Sequence, residues 1–593
     1  MVNSGRMLAW NISCYYACKR KASFHMQFTK SSLTNLLILA ISSYAGLDRP
    51  NVLFISMDDL NDWIGWMGGH PQTRTPNLDR LAASGTLFTN AHCPAPACNP
   101  SRTAVFTGIS PHVSGLYLNN QRMREILPNT DILPKTFSRN GYWAGGSGKM
   151  LHYFIDARSW DEYFPRKESE NPFPRTMYPD KRPVNLPRGG PWQYVETDWA
   201  ALKATDEEFG GDYLVAQWVS KQLARKREDN KPFFLACGIY RPHEPWFVPE
   251  KYFKPFPLES IQLPPGYKED DLNDLPPEGR RRGPNRYFAH IRKHKQWKAG
   301  VQAYLASIHF ADAMLGNVLE ALENGPHAEN TIVVLWSDHG WHLGEKQHWQ
   351  KFTGWRACSR VPLIIKMPDR KPNVCDQPVS LLSLGPTLLD LCGLPKLPQH
   401  KAPSLRTLLK DPEGEWPHVA LTHLGESGSY GLSTRNWRYI RYKGGGEELY
   451  NIRKDPYEWK NLAQSVQHKT KLKALRKLAP DTFSNLIQPS IQSLPSLKWN
   501  ALSVDQKAPP SKPEGNPFSV TFINQSSEPV ELFWMDFKGG HKPYALIEPK
   551  KHYHQQTRPG AVWMLAESMS NGNRRLGYFT VGDRKAKAIV PQR

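Results

Sequence analysis

Cysteine is scarce in this chain of 593 residues and shows no pairing: Cys14, Cys18, Cys93, Cys98, Cys237, Cys358, Cys375 and Cys392 are scattered. That pattern describes neither a disulfide framework nor repeated C-x-x-C metal spacing. Long hydrophobic runs are also missing, since none reaches the roughly 18 apolar residues that cross a bilayer. The mature chain is therefore expected to be soluble, with no transmembrane span. Acid is in deficit, with 55 Asp and Glu against 76 Lys and Arg, a formal charge of +21. Such an excess favours polyanionic partners through steering and counterion release. No nucleic-acid motif accompanies it, so nucleic acid is not expected, and no heptad pattern points to an oligomer.

What is present begins with an export signal. Residues 1–45 read as a misplaced start followed by a secretory leader: Met26, then Lys30, an apolar run from Leu33 to Ile41, and Ser43-Tyr44-Ala45 as a small-x-small cleavage site. The leader holds Arg6, Lys19, Arg20, Lys21 and Lys30 and no acid, so without it +21 becomes +16. The expected location is periplasmic or secreted. The densest basic stretch is Arg280-Arg281-Arg282, Arg286, Arg292-Lys293, Lys295 and Lys298, interleaved with Tyr287, Phe288 and Trp297. It reads equally as a solvated insertion or as a substrate-binding wall.

Three apolar runs end in polar clusters. Asn51–Ser56, Phe233–Gly238 and Thr331–Ser337 are continuous rather than alternating, as in strands buried on both faces. They lead into Asp58-Asp59, Arg241-Pro242-His243 and Asp338-His339. Thr75–Leu81 reads as a helix, and so does Val301–Leu322, with Leu305, Ile308, Ala311, Leu315, Val318 and Leu322 on one side. In an open parallel sheet, ligands gather beyond the carboxyl ends of the strands. Asp58, Asp59, Asp338 and His339 form a set suited to a divalent cation, provided the chain turns just after Ser56 so that both adjacent carboxylates reach it.

One motif is sharper still. Cys98-Asn99-Pro100-Ser101-Arg102, closed by Thr107-Gly108, has the form C-x-P-S-R-x-x-x-x-T-G, the signature at which a cysteine is oxidised to formylglycine. With it stand RPNVLFISMDDL from Arg49, TPNLDRLAASGTLFTNAHCPAPACNPSRTAVFTG from Thr75, Lys149-x-x-His152, Arg241-Pro242-His243, Ser337-Asp338-His339-Gly340-Trp341, Lys351, Trp437–Ile440, Glu448–Asn451 and Asp455-Pro456. From about residue 49 to 465 the chain resembles the formylglycine-dependent sulfatases of the alkaline-phosphatase-like superfamily, in their iduronate-2-sulfatase branch.

That resemblance implies an α/β fold, a mixed sheet sandwiched by helices, with a catalytic domain over 46–395 and a small α+β subdomain over 396–485. It implies removal of O-sulfate, with a sulfated carbohydrate as the expected substrate and the formylglycine-generating enzyme as a maturation partner. Cys98, as formylglycine hydrate, would attack sulfur, since a geminal diol can expel sulfate where a thiol would trap it. One divalent ion, calcium by first choice, would be held by Asp58, Asp59, Asp338, His339 and the modified Cys98. Arg102 and Lys149 would supply fixed positive charge, His152 a base, and His243 with Lys351 sulfate binding and a proton for the departing alcohol. Most sulfatases carry Asn where His339 stands, and imidazole leaves room for another divalent metal.

Composition then changes. Residues 486–515 are rich in Pro and Ser and read as a linker. Ser519–Asn524, Val530–Phe537 and Ala561–Leu565 read as short strands of an all-β module over 516–593. FINQSSEPVELFWMDFKGGHKPYALIEP resembles the von Hippel-Lindau β domain. Trp534, Tyr544 and Trp563 fall at that domain's aromatic cage, but its Ser and His positions hold Thr557 and Ala561, which departs from the polar pair that binds hydroxyproline. The module is read as a docking unit for protein or glycan, or as a structural appendage. Two alternatives to a carbohydrate sulfatase stand beside it: arylsulfate, choline sulfate, phosphodiester or phosphonate hydrolysis on the same scaffold, and a non-catalytic polyanion-binding protein.

Overall fold

The continuous apolar runs become strands covered on both faces. The computed structural model describes residues 49–592, apart from 153, 168–172, 174–184, 188–196, 228–230, 488–490, 492–493, 504, 514–517, 568–573 and 583–584. The leader read at 1–45 lies outside the described residues. The strands are β1 (Asn51–Met57), β2 (Thr86–Phe88), β3 (Trp143–Gly148), β4 (Glu162–Phe164), β5 (Phe233–Ile239), β6 (Thr331–Ser337), β7 (Leu363–Lys366) and β8 (Asn373–Cys375). They form one 8-stranded sheet in the order β8-β2-β7-β6-β1-β5-β3-β4. β6, β1, β5, β3 and β4 run parallel, while β7 is antiparallel to β6 and β2.

Alternation along β1 divides the core. Leu53, Ile55 and Met57 pack on one side with α1 (Pro76–Ala82), α3 (Asp212–Ala224), α4 (Arg286–Lys293) and α5 (Trp297–Glu323). Val52 and Phe54 face the other side, against α2 (Cys98–Thr107) and α6 (Leu384–Leu391). This is the expected sandwich of a sheet between helices. The α5 residues read as a single apolar stripe are all buried, but burial extends round the helix to Gly300, Tyr304 and Ser307. The reason is tertiary: α5 is packed by α3 on one flank and by the strand pair Trp199–Leu202 and Trp246–Pro249 on another. Its Asp312 carboxylate accepts hydrogen bonds from the N–H groups of Asn77 (3.1 Å) and Leu78 (2.7 Å), which closes the first turn of α1.

Beyond the main sheet, Ala420–His423, Tyr430–Ser433, Trp437–Arg441 and Glu447–Asn451 form an antiparallel sheet. Helix α7 (Lys469–Arg476) covers it through Leu472 and Leu475. The C-terminal module follows as a 5-stranded and a 3-stranded sheet around Phe522, Leu532, Trp563, Leu565 and Phe579. Part of the stretch that composition reads as linker lies along this module. Asn500–Ala501 pairs with the strand Arg575–Thr580, Lys512 N–H donates to Gly560 O at 2.9 Å, and Ser511 is buried. Composition registers the prolines but not the strand edge that Asn500–Ala501 covers.

Burial leaves many histidines neutral. It pulls His70, His348 and His400 each down to about 4, and His423 to about 3. His92 and His342 shift the same way. Fewer buried carboxyls oppose them: burial pushes Asp271 and Asp312 up to about 6 and Glu345 and Glu458 up to about 7. Below the ordinary histidine pKa the unfolded chain takes up protons that these folded imidazoles refuse, so stability is lost as pH falls from 6.5 toward 4. The melting temperature should drop by roughly 5–10 °C between pH 6.5 and 5. A flat or rising melting temperature in a calorimetric series would count against this neutral histidine core.

Candidate active site and metal centre

Because β6, β1, β5 and β3 are parallel neighbours, their carboxyl ends open at one edge. Asp58-Asp59 follow β1, Lys149 follows β3, Arg241-Pro242-His243 come just after β5, and Asp338-His339 follow β6. Helix α2 points its first residue, Cys98, into the same place, and all ten of its residues are buried.

The motif around Cys98 has a physical explanation. Ser101 Oγ donates to Asp338 O at 2.6 Å, and Arg102 Nε donates to Asp338 Oδ2 at 2.8 Å. The guanidinium continues to Asp58 Oδ1 (3.2 Å), Lys149 O (2.6 Å) and Ser56 Oγ (3.2 Å). Pro100 sits in the first turn, where no helical N–H partner is lost. Gly108 ends the helix at φ 71°, and a Cβ there would lie 2.0 Å from His400 Cδ2. Thr107 Oγ1 donates back to Thr103 O at 2.7 Å, so Pro100, Ser101, Arg102, Thr107 and Gly108 each have a steric or hydrogen-bonding role.

The turn that lets both adjacent carboxylates face inward comes later than the sequence suggests. β1 continues through Met57, and the left-handed residue is Asp59, at φ 63°. Asp58 consequently meets Arg102 and Lys149, while Asp59 Oδ1 lies 2.8 Å from Lys351 Nζ and Oδ2 lies 3.6 Å from His243 Nε2. Around Cys98 Sγ stand Lys351 Nζ at 3.1 Å, His339 Nε2 at 3.2 Å and Lys149 Nζ at 3.7 Å. His152 is half-buried and feels the charges of Lys149, Lys351, Asp58 and Arg102. Every residue singled out from sequence is therefore in, or in the field of, one cluster.

The charges there are pushed apart. Burial opposes ionisation of Asp58, but Lys149 and Arg102 outweigh it and hold the carboxyl well below its usual range. Asp59 moves the other way, raised by burial and by Asp58 despite Lys351. Burial likewise pushes the Cys98 thiol up to about 11, against the pull of Lys149 and Lys351. Lys351, which burial alone would lower, is held well above its ordinary value chiefly by Asp59. Burial and the two lysines keep His243 and His152 low.

This donor set fits a cation. Ligand atoms of Asp58, Asp59, Cys98 and His243 lie within 4.8 Å of one another, and so do those of Asp58, Cys98, Asp338 and His339. Asp59 Oδ2 is buried without a hydrogen bond, an unusual position for a carboxylate oxygen that a positive ion would resolve. His339 directs Nδ1 at Gly340 O (3.1 Å), which can only accept, so Nε2 carries the lone pair that faces the cluster. His243, read from sequence as a sulfate ligand, belongs geometrically to the metal group as well.

The basic patch resolves into an amphipathic surface. Phe288 is buried and packs edge-on to Trp297 at 4.8 Å, while Arg280, Arg281, Arg286, Arg292, Lys293, Lys295 and Lys298 are exposed. Arg282 is half-buried, and its carbonyl accepts from His348 Nδ1 at 2.7 Å. Among the described residues all six cysteines are buried, and Cys93, Cys98, Cys237, Cys358 and Cys375 are free thiols. In the β module, Tyr544 meets Trp563 edge-on at 4.9 Å, but Trp563 is buried and its indole N–H is bonded to Thr557 Oγ1 at 2.7 Å.

Comparison with known proteins agrees with this geometry. The sulfatase family model matches residues 50–394, and that for the N-sulphoglucosamine sulphohydrolase C-terminal region matches 344–482. The chain belongs to the sulfatase family. It is accordingly a sulfuric ester hydrolase. A sulfatase of Formosa agariphila is 40% identical over 449 residues, covering 74% of this chain and 87% of that protein. The iduronate 2-sulfatase of Mus musculus is 30% identical over 446 residues, 68% of this chain and 80% of its own. The phosphonate monoester hydrolase of Agrobacterium radiobacter shares the fold, with a TM-score of 0.59 at 21% identity over 72% of this chain and 94% of that one. The VHL beta domain model matches residues 511–576. No described helix is long and apolar enough to cross a membrane.

The metal fit can be tested without turnover. Asp59→Asn leaves Lys351 Nζ without its buried carboxylate partner, so the metal-free variant should melt below the parent. It should also lose the rise in melting temperature that calcium or another divalent ion gives the parent. A variant that still responds to metal would show that Asp59 is no ligand.

Proposed function

We propose that this sulfatase acts after export to remove O-sulfate from a sulfated carbohydrate, with Cys98 converted to formylglycine. The observation that carries the reading is the state of Cys98. Its thiol lies among three cation-bearing or metal-ligating groups, yet is pushed up to about 11 and would stay protonated at neutral pH. An unmodified thiol there is a poor nucleophile. When present, the formylglycine hydrate supplies a hydroxyl nucleophile that can release sulfate, and a divalent cation held by Asp58, Asp59, Asp338 and His339 lowers that hydroxyl's pKa.

The remaining work falls to the chain's own side chains. Arg102 fixes Asp58 and Asp338 in register. Lys149 and Lys351, each within 3.7 Å of Cys98 Sγ, are placed to bind sulfate oxygens. Of the two groups proposed to protonate the departing alcohol, Lys351 is the one that holds a proton at neutral pH. His243 is kept low, and its Nδ1 is committed to Glu244 O. His152, also kept neutral, suits a base.

Carbohydrate is favoured by the net charge of +16 that remains without the leader, and by relatives. A solved structure that shares the fold holds its substrate D-glucosamine-2-N,6-O-disulfate, and an ulvan-active sulfatase of Formosa agariphila is 25% identical over 456 residues. Calcium, the export signal, the domain limits at 395, 485 and 515, and a glycan or protein ligand for the β module belong to the same proposal. Intact-mass analysis of the Cys98 tryptic peptide, after co-expression with the maturing enzyme, should show the aldehyde. Cys98→Ala should abolish release of sulfate while folding and metal binding persist. A panel of sulfated sugars, aryl sulfates and phosphodiesters should give its best turnover on a sulfated sugar. Hydrolysis of phosphodiesters alone would sink the reading.

A further inference from the structure

Two left-handed residues bracket Lys351: Gln350 at φ 85° and Phe352 at φ 73°. Side chains other than glycine keep that conformation only where their surroundings over-determine it. Phe352 is tied through its backbone, N–H to Pro96 O at 3.0 Å. Gln350 is tied through its side chain, whose Nε2 donates to Glu244 Oε1 at 2.8 Å and to Thr197 Oγ1 at 3.3 Å. The Thr197 hydroxyl donates in turn to Glu244 Oε2 at 2.7 Å. All three residues are buried.

Glu244 also acts through its backbone. Its carbonyl accepts from His243 Nδ1 at 2.5 Å and from the Tyr240 hydroxyl at 3.0 Å. One residue therefore touches both arms of the site. Its carbonyl orients the imidazole that faces Asp59 Oδ2, and its carboxylate holds the residue before the lysine that faces Asp59 Oδ1. The arms come from distant segments, the end of β5 and the hairpin His342–Leu343 with Trp349–Gln350, and nothing local in either sequence fixes their spacing.

We propose that Glu244, through its carboxylate bridge to Gln350 and Thr197, is a positioning residue that sets the separation of His243 and Lys351 across Asp59. The inference rests on reading those two groups as substrate-facing. A purely structural role is distinguishable in the double variant, because replacing both partners of a buried hydrogen bond by apolar groups of similar volume can be nearly neutral for stability, while residue 350, no longer tied to residue 244, would still relax and carry Lys351 with it.

The test uses the full-length enzyme, matured with the formylglycine-generating enzyme, and 4-methylumbelliferyl sulfate as probe. Glu244→Leu and Gln350→Leu should each lower kcat by about 10- to 100-fold, the cost of a misplacement near 1 Å. KM should move far less, and Glu244→Gln should recover most of the loss. The double variant should be no worse than the poorer single one, because both break one bridge. Multiplicative losses, or a Glu244→Gln variant as poor as Glu244→Leu, would overturn the proposal. If Glu244→Leu does not fold, Gln350→Leu carries the test alone. If the parent itself hydrolyses no sulfate ester, the sulfatase reading fails separately. The proposal is then judged by the crystal structure of Gln350→Leu, where a Lys351 Nζ displaced by less than about 0.5 Å would refute it.

Discussion

The guanidinium of Arg102 is fully buried and is shared among the ends of three strands. It bonds Asp338 after β6, Asp58 after β1, and the backbone carbonyls of Lys149 and Met150 after β3. A buried cation is tolerable only with such complete pairing, and the pairing in turn fixes where each carboxylate points. Removing it would leave two buried carboxylates facing each other with less compensation. The helix that carries Cys98 is held by the same group, so nucleophile position and ligand position are one constraint rather than two.

From that constraint follows the charge balance of the cluster. Three carboxylates, Asp58, Asp59 and Asp338, face three fixed cations, Arg102, Lys149 and Lys351, while the histidines are kept low by burial. Protein groups alone thus leave little net charge to attract an anionic ester. On the proposed reading, a divalent cation tips the balance positive and satisfies the buried Asp59 oxygen that has no hydrogen bond. The left-handed backbone at Asp59 is what turns that oxygen inward, a strain that makes sense at a ligand-binding position.

How much of this could be read in advance depends on how local the cause is. β1, β5 and β6 are legible because burial on both faces demands continuous apolar residues, and their polar ends mark the cleft. β3 is not, since Trp143-Ala-Gly-Gly-Ser-Gly148 has no apolar run. It is a strand because neighbours leave no room for side chains: a Cβ on Gly145 would lie 2.1 Å from the Trp143 ring, and one on Gly148 would lie 2.1 Å from Gly238 O. Lys149 was legible only by motif. Glu244, Gln350 and Thr197 were invisible, because their bridge joins segments 47 to 153 residues apart and carries no spacing of its own. The basic stretch, which reads from sequence equally as a solvated insertion or a substrate-binding wall, has aromatics among its cations because the helix Arg286–Lys293 lays Phe288 and Ile291 on the core.

The thiol itself argues for the chemistry proposed. A cysteine at a helix N-terminus beside two lysines ordinarily has a lowered pKa, since both the helix dipole and the ammonium groups favour thiolate. Here the lysines are already engaged by Asp58 and Asp59, and burial outweighs what remains, so the thiol is pushed up instead. A site evolved around a thiolate nucleophile would not spend its cations on neighbouring carboxylates. One that held a divalent cation would, because Asp58 and Asp59 could then serve as its ligands and Lys149 and Lys351 could turn toward the substrate's oxygens. On the proposed reading, in which Cys98 becomes an oxygen nucleophile, this arrangement of charges has a purpose that a thiolate would not give it.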